Sequence, residues 1–242
     1  MLGTGSVDYF YIKPEDVTGN ALVLRGDESK HLARVLRKHA GDRIFATDGN
    51  DHMYEAFVTE IGKKDTQCRI GAVHTKYNEP SLNVALAVSL LKNPARFDFL
   101  VEKATELGVR HIIPMRCERT VPYREKRDRL EKIAIAAVKQ CGRSWRPRIS
   151  SVAKASEVFA ASGGYGLRLI PHEKADPDQT IEHVLGQHPQ QNSILIVIGP
   201  EGGFTDEEVN AAKDAGFAAV TLGARRLRAE TASLAAVTLA LK

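Results

Sequence analysis

The stretch that most constrains this chain is Ser193–Thr205, Ser-Ile-Leu-Ile-Val-Ile-Gly-Pro-Glu-Gly-Gly-Phe-Thr. Its five consecutive apolar residues, Ile194 to Ile198, read as a strand buried on both faces. A helix is expected after Thr205, a good N-cap, because Glu208 three residues later completes a capping box. Between strand and helix lie Gly199, Gly202 and Gly203, where backbone can approach a ligand with no side chain in the way. Open α/β sheets bind ligands where strands deliver such loops at their carboxyl ends; a tight βα turn that holds nothing is the plainer alternative. The loop lacks the Gly-Lys-Ser/Thr of a P-loop and the Gly-x-Gly-x-x-Gly of a dinucleotide fold, so a nicotinamide dehydrogenase is poorly supported. Glu201 argues against a phosphate cradle.

The same pattern repeats near the end of the chain. A strand over Ala218 to Leu222 meets Gly223, then a basic loop with Arg225, Arg226 and Arg228, then a final helix from about Thr231 to Leu241. That helix is apolar around most of its circumference, which suits an internal helix or a dimer interface. The loops at Gly199 and Gly223 are expected side by side, joined by a third strand end, Leu169-Ile170-Pro171-His172-Glu173. Upstream, Leu82 to Leu91 reads as a buried strand and Asn93-Pro94 as the start of a helix ending at Gly108. Strands over Val109 to Met115 and Leu167 to Ile170, and helices over Leu130 to Cys141, Thr180 to Leu185 and Thr205 to Ala215, complete the alternation of a parallel α/β sheet.

The first 75 or so residues follow another rule. Short strands are expected at Tyr9 to Ile12, Ala21 to Leu24, Arg43 to Thr47, Met53 to Ile61 and Gln67 to His74, with turn signals between them. One helix, Asp27 to Arg37, puts Leu32, Val35 and Leu36 inside and Lys30, Arg34, Arg37 and Lys38 outside. A small β barrel or sandwich over 1–75 fits, with a linker at Lys76 to Pro80 and a larger domain over 82–242.

Charge adds the partner. The net charge is only +4, yet Arg116 to Arg148 carries 11 Lys and Arg against 4 Asp and Glu, an excess of 7. Such clusters suit a phosphate backbone; a solvated helix face is the alternative. Apolar and charged fractions of 43% and 26% suit a soluble globular protein, and no apolar run reaches the roughly 18 residues of a membrane span. Met1 to Ser6 does not read as a secretory leader. Cys68, Cys117 and Cys141 show no Cys-x-x-Cys spacing, so neither a disulfide framework nor a metal site is expected, and a reducing cytoplasm fits.

Five motifs in order resemble one family: His31-Leu-Ala-Arg-Val-Leu-Arg37; Lys103-Ala-Thr-Glu-Leu-Gly-Val109 with Pro114; Gln140-Cys-Gly-Arg143 with Pro147; Ile198-Gly-Pro-Glu-Gly-Gly-Phe204; and Leu222-Gly-Ala-Arg-Arg-Leu-Arg-Ala-Glu-Thr-Ala232. Together they look like the RsmE family of ribosomal RNA methyltransferases, in the SPOUT class. The resemblance implies a PUA-like β-barrel followed by an α/β domain with a C-terminal trefoil knot, at about 194–242. It implies S-adenosylmethionine as methyl donor, a cytoplasmic homodimer, and N3-methylation of one uridine in 16S rRNA within the small ribosomal subunit. Carried over by position, the cofactor contacts fall at Leu169, Ile170, Pro171 and His172; at Gly199, Pro200, Glu201, Gly202 and Gly203; and at Leu222, Gly223, Leu227, Arg228 and Thr231. The chain departs from the family pattern at Asp8, where an Arg is usual, and at Arg226, where an Ile is usual.

For the chemistry, the weakly acidic imide of uracil must lose its N3 proton. Arg228 is the candidate cation for the resulting anion, and Glu230 either takes the proton or favours the positive end of the last helix. RNA contact is expected from Lys30, Arg34, Arg37 and Lys38, and from Arg116, Arg119, Arg124, Arg143 and Arg146. His31 either joins that face or is structural. Two other functions stay open: a ribose 2′-O methyltransferase of the same class, and a non-catalytic RNA-binding assembly factor.

Overall fold

The computed structural model describes residues 8–121 and 126–242. The chain divides into two compact units: residues 1–79 with Ile135–Arg146, and Pro80–Ala134 with Pro147–Lys242. The return of 135–146 to the first unit is absent from the linear boundaries read from sequence.

The first unit is built on β1 (Tyr9–Tyr11), β2 (Val17–Thr18), β3 (Ala21–Arg25), β4 (Arg43–Thr47), β5 (His52–Ile61) and β6 (Asp65–Thr75). They form one sheet in the order β1-β4-β5-β6-β3-β2, antiparallel except for β1 alongside β4. Burial alternates along β3 and most of β6, the mark of a sheet with one covered face. Two register shifts in β5, at Glu55/Ala56 and Val58/Glu60, bend it over a core of Phe10, Leu22, Leu24, Leu32 and Ile44.

Between β3 and β4, helix α1 (Gly26–Lys30) runs into a π turn, His31–Val35. Its wider pitch, with Leu36 N–H donating to the His31 carbonyl at 3.0 Å, swings Val35 away from Leu32. Leu32 is therefore fully buried while Val35 is 65% exposed, which corrects the expected inner position of Val35.

The same unit contains a buried ion pair. Arg143 and Glu79 side chains are 2% and 0% exposed and meet at 2.6 Å; Glu79 also accepts from the backbone N–H of Ser144 and Trp145. Arg143 is thus a structural residue, and its expected place on an RNA-facing surface is corrected: its guanidinium is enclosed. Neighbouring Gly142 has φ +67°, and a Cβ there would lie 2.6–2.9 Å from the Tyr9 ring.

The second unit carries β7 (Asn83–Ser89), α2 (Pro94–Leu107), β8 (His111–Arg116), the start of α3 (Arg127–Cys141), β9 (Arg148–Ile149), β10 (Ala153–Lys154) and α4 (Ala155–Ala160). It continues with β11 (Leu167–Pro171), α5 (Ile181–Gln187), β12 (Ser193–Ile198), α6 (Asp206–Asp214), β13 (Ala218–Val220) and α7 (Ala229–Leu241). The strands run parallel in the order β10-β8-β7-β12-β11-β13, with β9 against the start of β8. In β12 the alternation divides the core: Ile194, Ile196 and Ile198 face α2, α5 and α7, while Leu195 and Val197 face α4 and α6. Hence the unbroken apolar run. Asn93 caps α2 through Ala95 N–H, and Gly108 ends it at φ +113°, both as expected.

Candidate active site

Strand order decides which loops share a site. β11 lies between β12 and β13, so the Gly199 and Gly223 loops flank the Pro171–His172 strand end. The two loops still meet, Arg226 after β13 donating to the Glu201 carbonyl after β12 at 3.3 Å, although topology places the third strand between their own strands.

After β12, Gly203 N–H donates to the Pro200 carbonyl at 2.8 Å and closes a tight turn, with Gly203 at φ +71°. Gly199 lies close under Phe204, where a Cβ would sit 3.0 Å from the ring and the ring would have to give way. Thr205 and Glu208 form the expected capping box. The second Glu208 oxygen accepts from Glu118 N–H at 2.8 Å, tying the segment after β8 to this turn. The Glu201 carboxylate accepts from Lys92 N–H at 3.0 Å.

At the β11 end, Leu169 and Ile170 are fully buried core residues, so only their backbone is available to a ligand. Pro171 and His172 are half-buried. The His172 pKa is lowered, chiefly by burial, and its Nδ1 accepts from Lys174 N–H. After β13, Gly223 takes φ +95° in open space, and its N–H is held by the Thr221 hydroxyl at 3.1 Å. Helix α7 begins two residues earlier than expected, which makes exposed Arg228 its N-cap residue and puts Thr231 on its first turn.

Glu230 also lies in that turn and is 9% exposed. One carboxylate oxygen is 3.7 Å from Arg96 Nε of α2, and the other is buried with no hydrogen-bond partner among the described residues. A desolvated carboxylate with one loose ion pair is costly unless something else satisfies it.

Sequence reasoning missed the Lys92–Arg96 segment, which holds Glu201 and faces Glu230. The signal was available: this segment follows the carboxyl end of β7, the neighbour of β12, and the strand-end rule applies there too.

The expected RNA contacts separate into groups. Arg34, Arg37 and Arg116 are exposed; Lys30 pairs with Asp27 at 3.1 Å; Lys38 pairs with Asp8, the departure from the family pattern, at 2.9 Å. Arg119 is exposed but its guanidinium donates to the Gly202 carbonyl at 2.9 Å. Arg146 is half-buried, and Arg124 lies outside the described residues. Among the described residues no group of three His, Cys, Asp or Glu is placed to hold a metal, and no helix is long and apolar enough to cross a membrane.

Comparison with known proteins agrees with this geometry. The RNA methyltransferase domain model matches residues 78–241, and the RNA methyltransferase PUA domain model matches 24–71. The ribosomal RNA small subunit methyltransferase E of Synechocystis sp. is 30% identical over 93% of this chain and 74% of its own length. That of Bacillus subtilis is 27% identical over 88% and 87%. Among solved structures, the Neisseria gonorrhoeae enzyme of the same name, bound to S-adenosyl methionine, shares 33% identity with a TM-score of 0.84, covering 96% of this chain and 95% of its own. A methyltransferase from Legionella pneumophila, in complex with the same cofactor, shares 28% with a TM-score of 0.81, covering 98% and 97%. On the whole-length match and the ordered strand-end loops, the chain belongs to the ribosomal RNA small subunit methyltransferase E family.

Proposed function

We propose that this protein transfers a methyl group from S-adenosylmethionine to N3 of one uridine in 16S rRNA. The observation that carries the reading is the set of three loops at the ends of β12, β11 and β13, in a fold similar to a cofactor-bound relative over nearly its whole length. The residues fit the cofactor: Gly203 and Gly223 leave open space beside bare backbone, and Glu230, in the first turn of the helix that follows the Gly223 loop, keeps a buried carboxylate oxygen with no hydrogen-bond partner among the described residues. Gly199 to Gly203, Leu222, Gly223, Leu227 and Thr231 would hold it with the backbone of Leu169 to His172. When bound, it supplies an electrophilic methyl on a sulfonium centre.

The chain's own task is to prepare the nucleophile. Glu230, set against Arg96 in the first turn of α7, is the base for the N3 proton, and Arg228, exposed at the head of α7, stabilises charge on a uracil carbonyl oxygen. Arg34 and Arg37 of the first unit and Arg116 of the second contact RNA phosphates. The reading also includes a trefoil knot, supported by β13 lying beyond β11 from β12. It includes a cytoplasmic homodimer, for which the 46% exposed Phe99 ring on α2 is an apolar contact to cover.

The test uses small ribosomal subunits from cells lacking the protein, incubated with it and S-adenosylmethionine. N3-methyluridine blocks the pairing edge, so a single new reverse-transcription stop at a uridine is expected, with the methylated base seen by mass spectrometry. An alkali-resistant linkage without that base would establish ribose methylation instead. No transfer and no cofactor binding would leave an RNA-binding factor.

A further inference from the structure

Two arginines, read from sequence as part of basic segments, are engaged with one glycine loop. Arg119 follows β8, and its Nη1 donates to the carbonyl of Gly202 at 2.9 Å and to that of Phe204 at 3.4 Å. Its stem lies against Gly202, whose missing Cβ would come within 3.3 Å of the Arg119 Cβ. Arg226 follows β13, and its Nη2 donates to the carbonyl of Glu201 at 3.3 Å. Three carbonyls of a five-residue turn are thus taken by guanidiniums from two other loops, while Gly203 N–H is used within the turn.

The physical need is clear. A turn of Pro-Glu-Gly-Gly has little side-chain packing of its own, and glycine carries the largest conformational entropy to be lost on ordering. A ligand that binds such a loop through backbone must bear that ordering cost, unless the loop is already fixed. Arginine suits the task, because its planar fork holds several donors in a set geometry.

We propose that Arg119 and Arg226 are positioning residues that pre-order the Gly199–Phe204 loop for its cofactor, rather than RNA contacts. This rests on the reading of that loop as the S-adenosylmethionine site. It gives the two arginines one common function: each fixes a carbonyl so that the turn presents a single shape.

The test measures two affinities in the full-length protein. Titration calorimetry with S-adenosylmethionine, and RNA binding at several salt concentrations with a 16S fragment, are run on wild type, R119Q, R119K and R226I. Loss of charge-assisted bonds to the loop is expected to weaken cofactor binding about tenfold in R119Q, less in R119K and R226I. The salt slope of RNA binding stays unchanged, and KM for the cofactor rises while KM for RNA does not. Both sites are exposed, so thermal melts serve to confirm folding. Unchanged cofactor affinity with a salt slope reduced by about one would overturn the proposal and restore these arginines to the RNA surface. Wild-type protein that binds no cofactor would instead overturn the reading of the loop itself.

Discussion

The two sheets hold their functional residues in different ways. In the second unit the sheet is apolar on both faces, so polar function is confined to strand ends, and topology alone collects it. In the first unit the strands alternate, and long charged side chains surround the fold. There a cation's role depends on whether a carboxylate has already claimed it. Lys30, Lys38 and Arg143 are claimed, by Asp27, Asp8 and Glu79; exposed Arg34 and Arg37 have no carboxylate partner among the described residues. A buried sheet makes site residues legible from strand ends, whereas a charged surface hides them in pairings.

The sharpest way to break this comparison is R143A. It leaves Glu79 charged and buried without its guanidinium partner, held only by backbone donors such as Ser144 and Trp145 N–H, which costs about 3–5 kcal/mol. Denaturant unfolding followed by a first-unit probe should show the loss. A variant as stable as wild type, with weaker RNA binding, would return Arg143 to the surface set.

In the second unit, G199A forces a methyl against the Phe204 ring at 3.0 Å and costs about 1–3 kcal/mol. Cofactor affinity should fall at least tenfold while RNA binding holds. Undisturbed cofactor binding would show that the turn has slack.

The amino end of the same sheet gives a pH test. His111 lies between Tyr165, Ser150 and Arg148, and its pKa is lowered to about 4 by burial and then by Arg148. It is neutral when folded, yet in the unfolded chain it binds a proton below about pH 6.5. Stability from this group is therefore complete above pH 6.5 and is lost as pH falls towards 4. The loss is on the order of 1–2 kcal/mol by pH 4.5, discounted from the full linkage because the ring is only partly buried. In H111Q the urea midpoint should fall less between pH 7 and pH 4.5 than in wild type.

The smallest effect sharpens the first-unit side. Arg37 has φ +53°, a left-handed position that favours glycine, just after the π turn. R37G should raise stability by about 1 kcal/mol and lower the salt slope of RNA binding by about one. A gain in stability without any change in slope would remove Arg37 from the RNA surface.

Much of this was legible where the rule is local. Thr205 and Glu208 announced a capping box, Asn93-Pro94 and Gly108 bounded a helix, and the Ile194–Ile198 run announced a doubly buried strand. What was not legible is non-local or very short. No local pattern says that β11 inserts between β12 and β13, or that Glu79 waits for an arginine 64 residues later. The two-residue strands β2, β9 and β10 are too brief to carry a period, and the π turn differs from an α-helix by one hydrogen-bond step. The candidate site followed the same division. Its glycine loops stood out by composition, while Arg96 and Lys92 joined it only through the fold.

The Glu79–Arg143 pair also sets a timetable. During synthesis all six strands of the first sheet emerge before the residue that neutralises Glu79 has been made. At about 5–20 residues per second, the 67 residues from Pro80 to Arg146 take on the order of 3–13 s. Through that interval the nascent sheet lacks both the Arg143 guanidinium that pairs with Glu79 and the rest of the Ile135–Arg146 segment that completes its unit. The amino-terminal unit thus waits on the middle of the chain for its last segment, yet it still has all its residues before the second unit, which runs to Lys242.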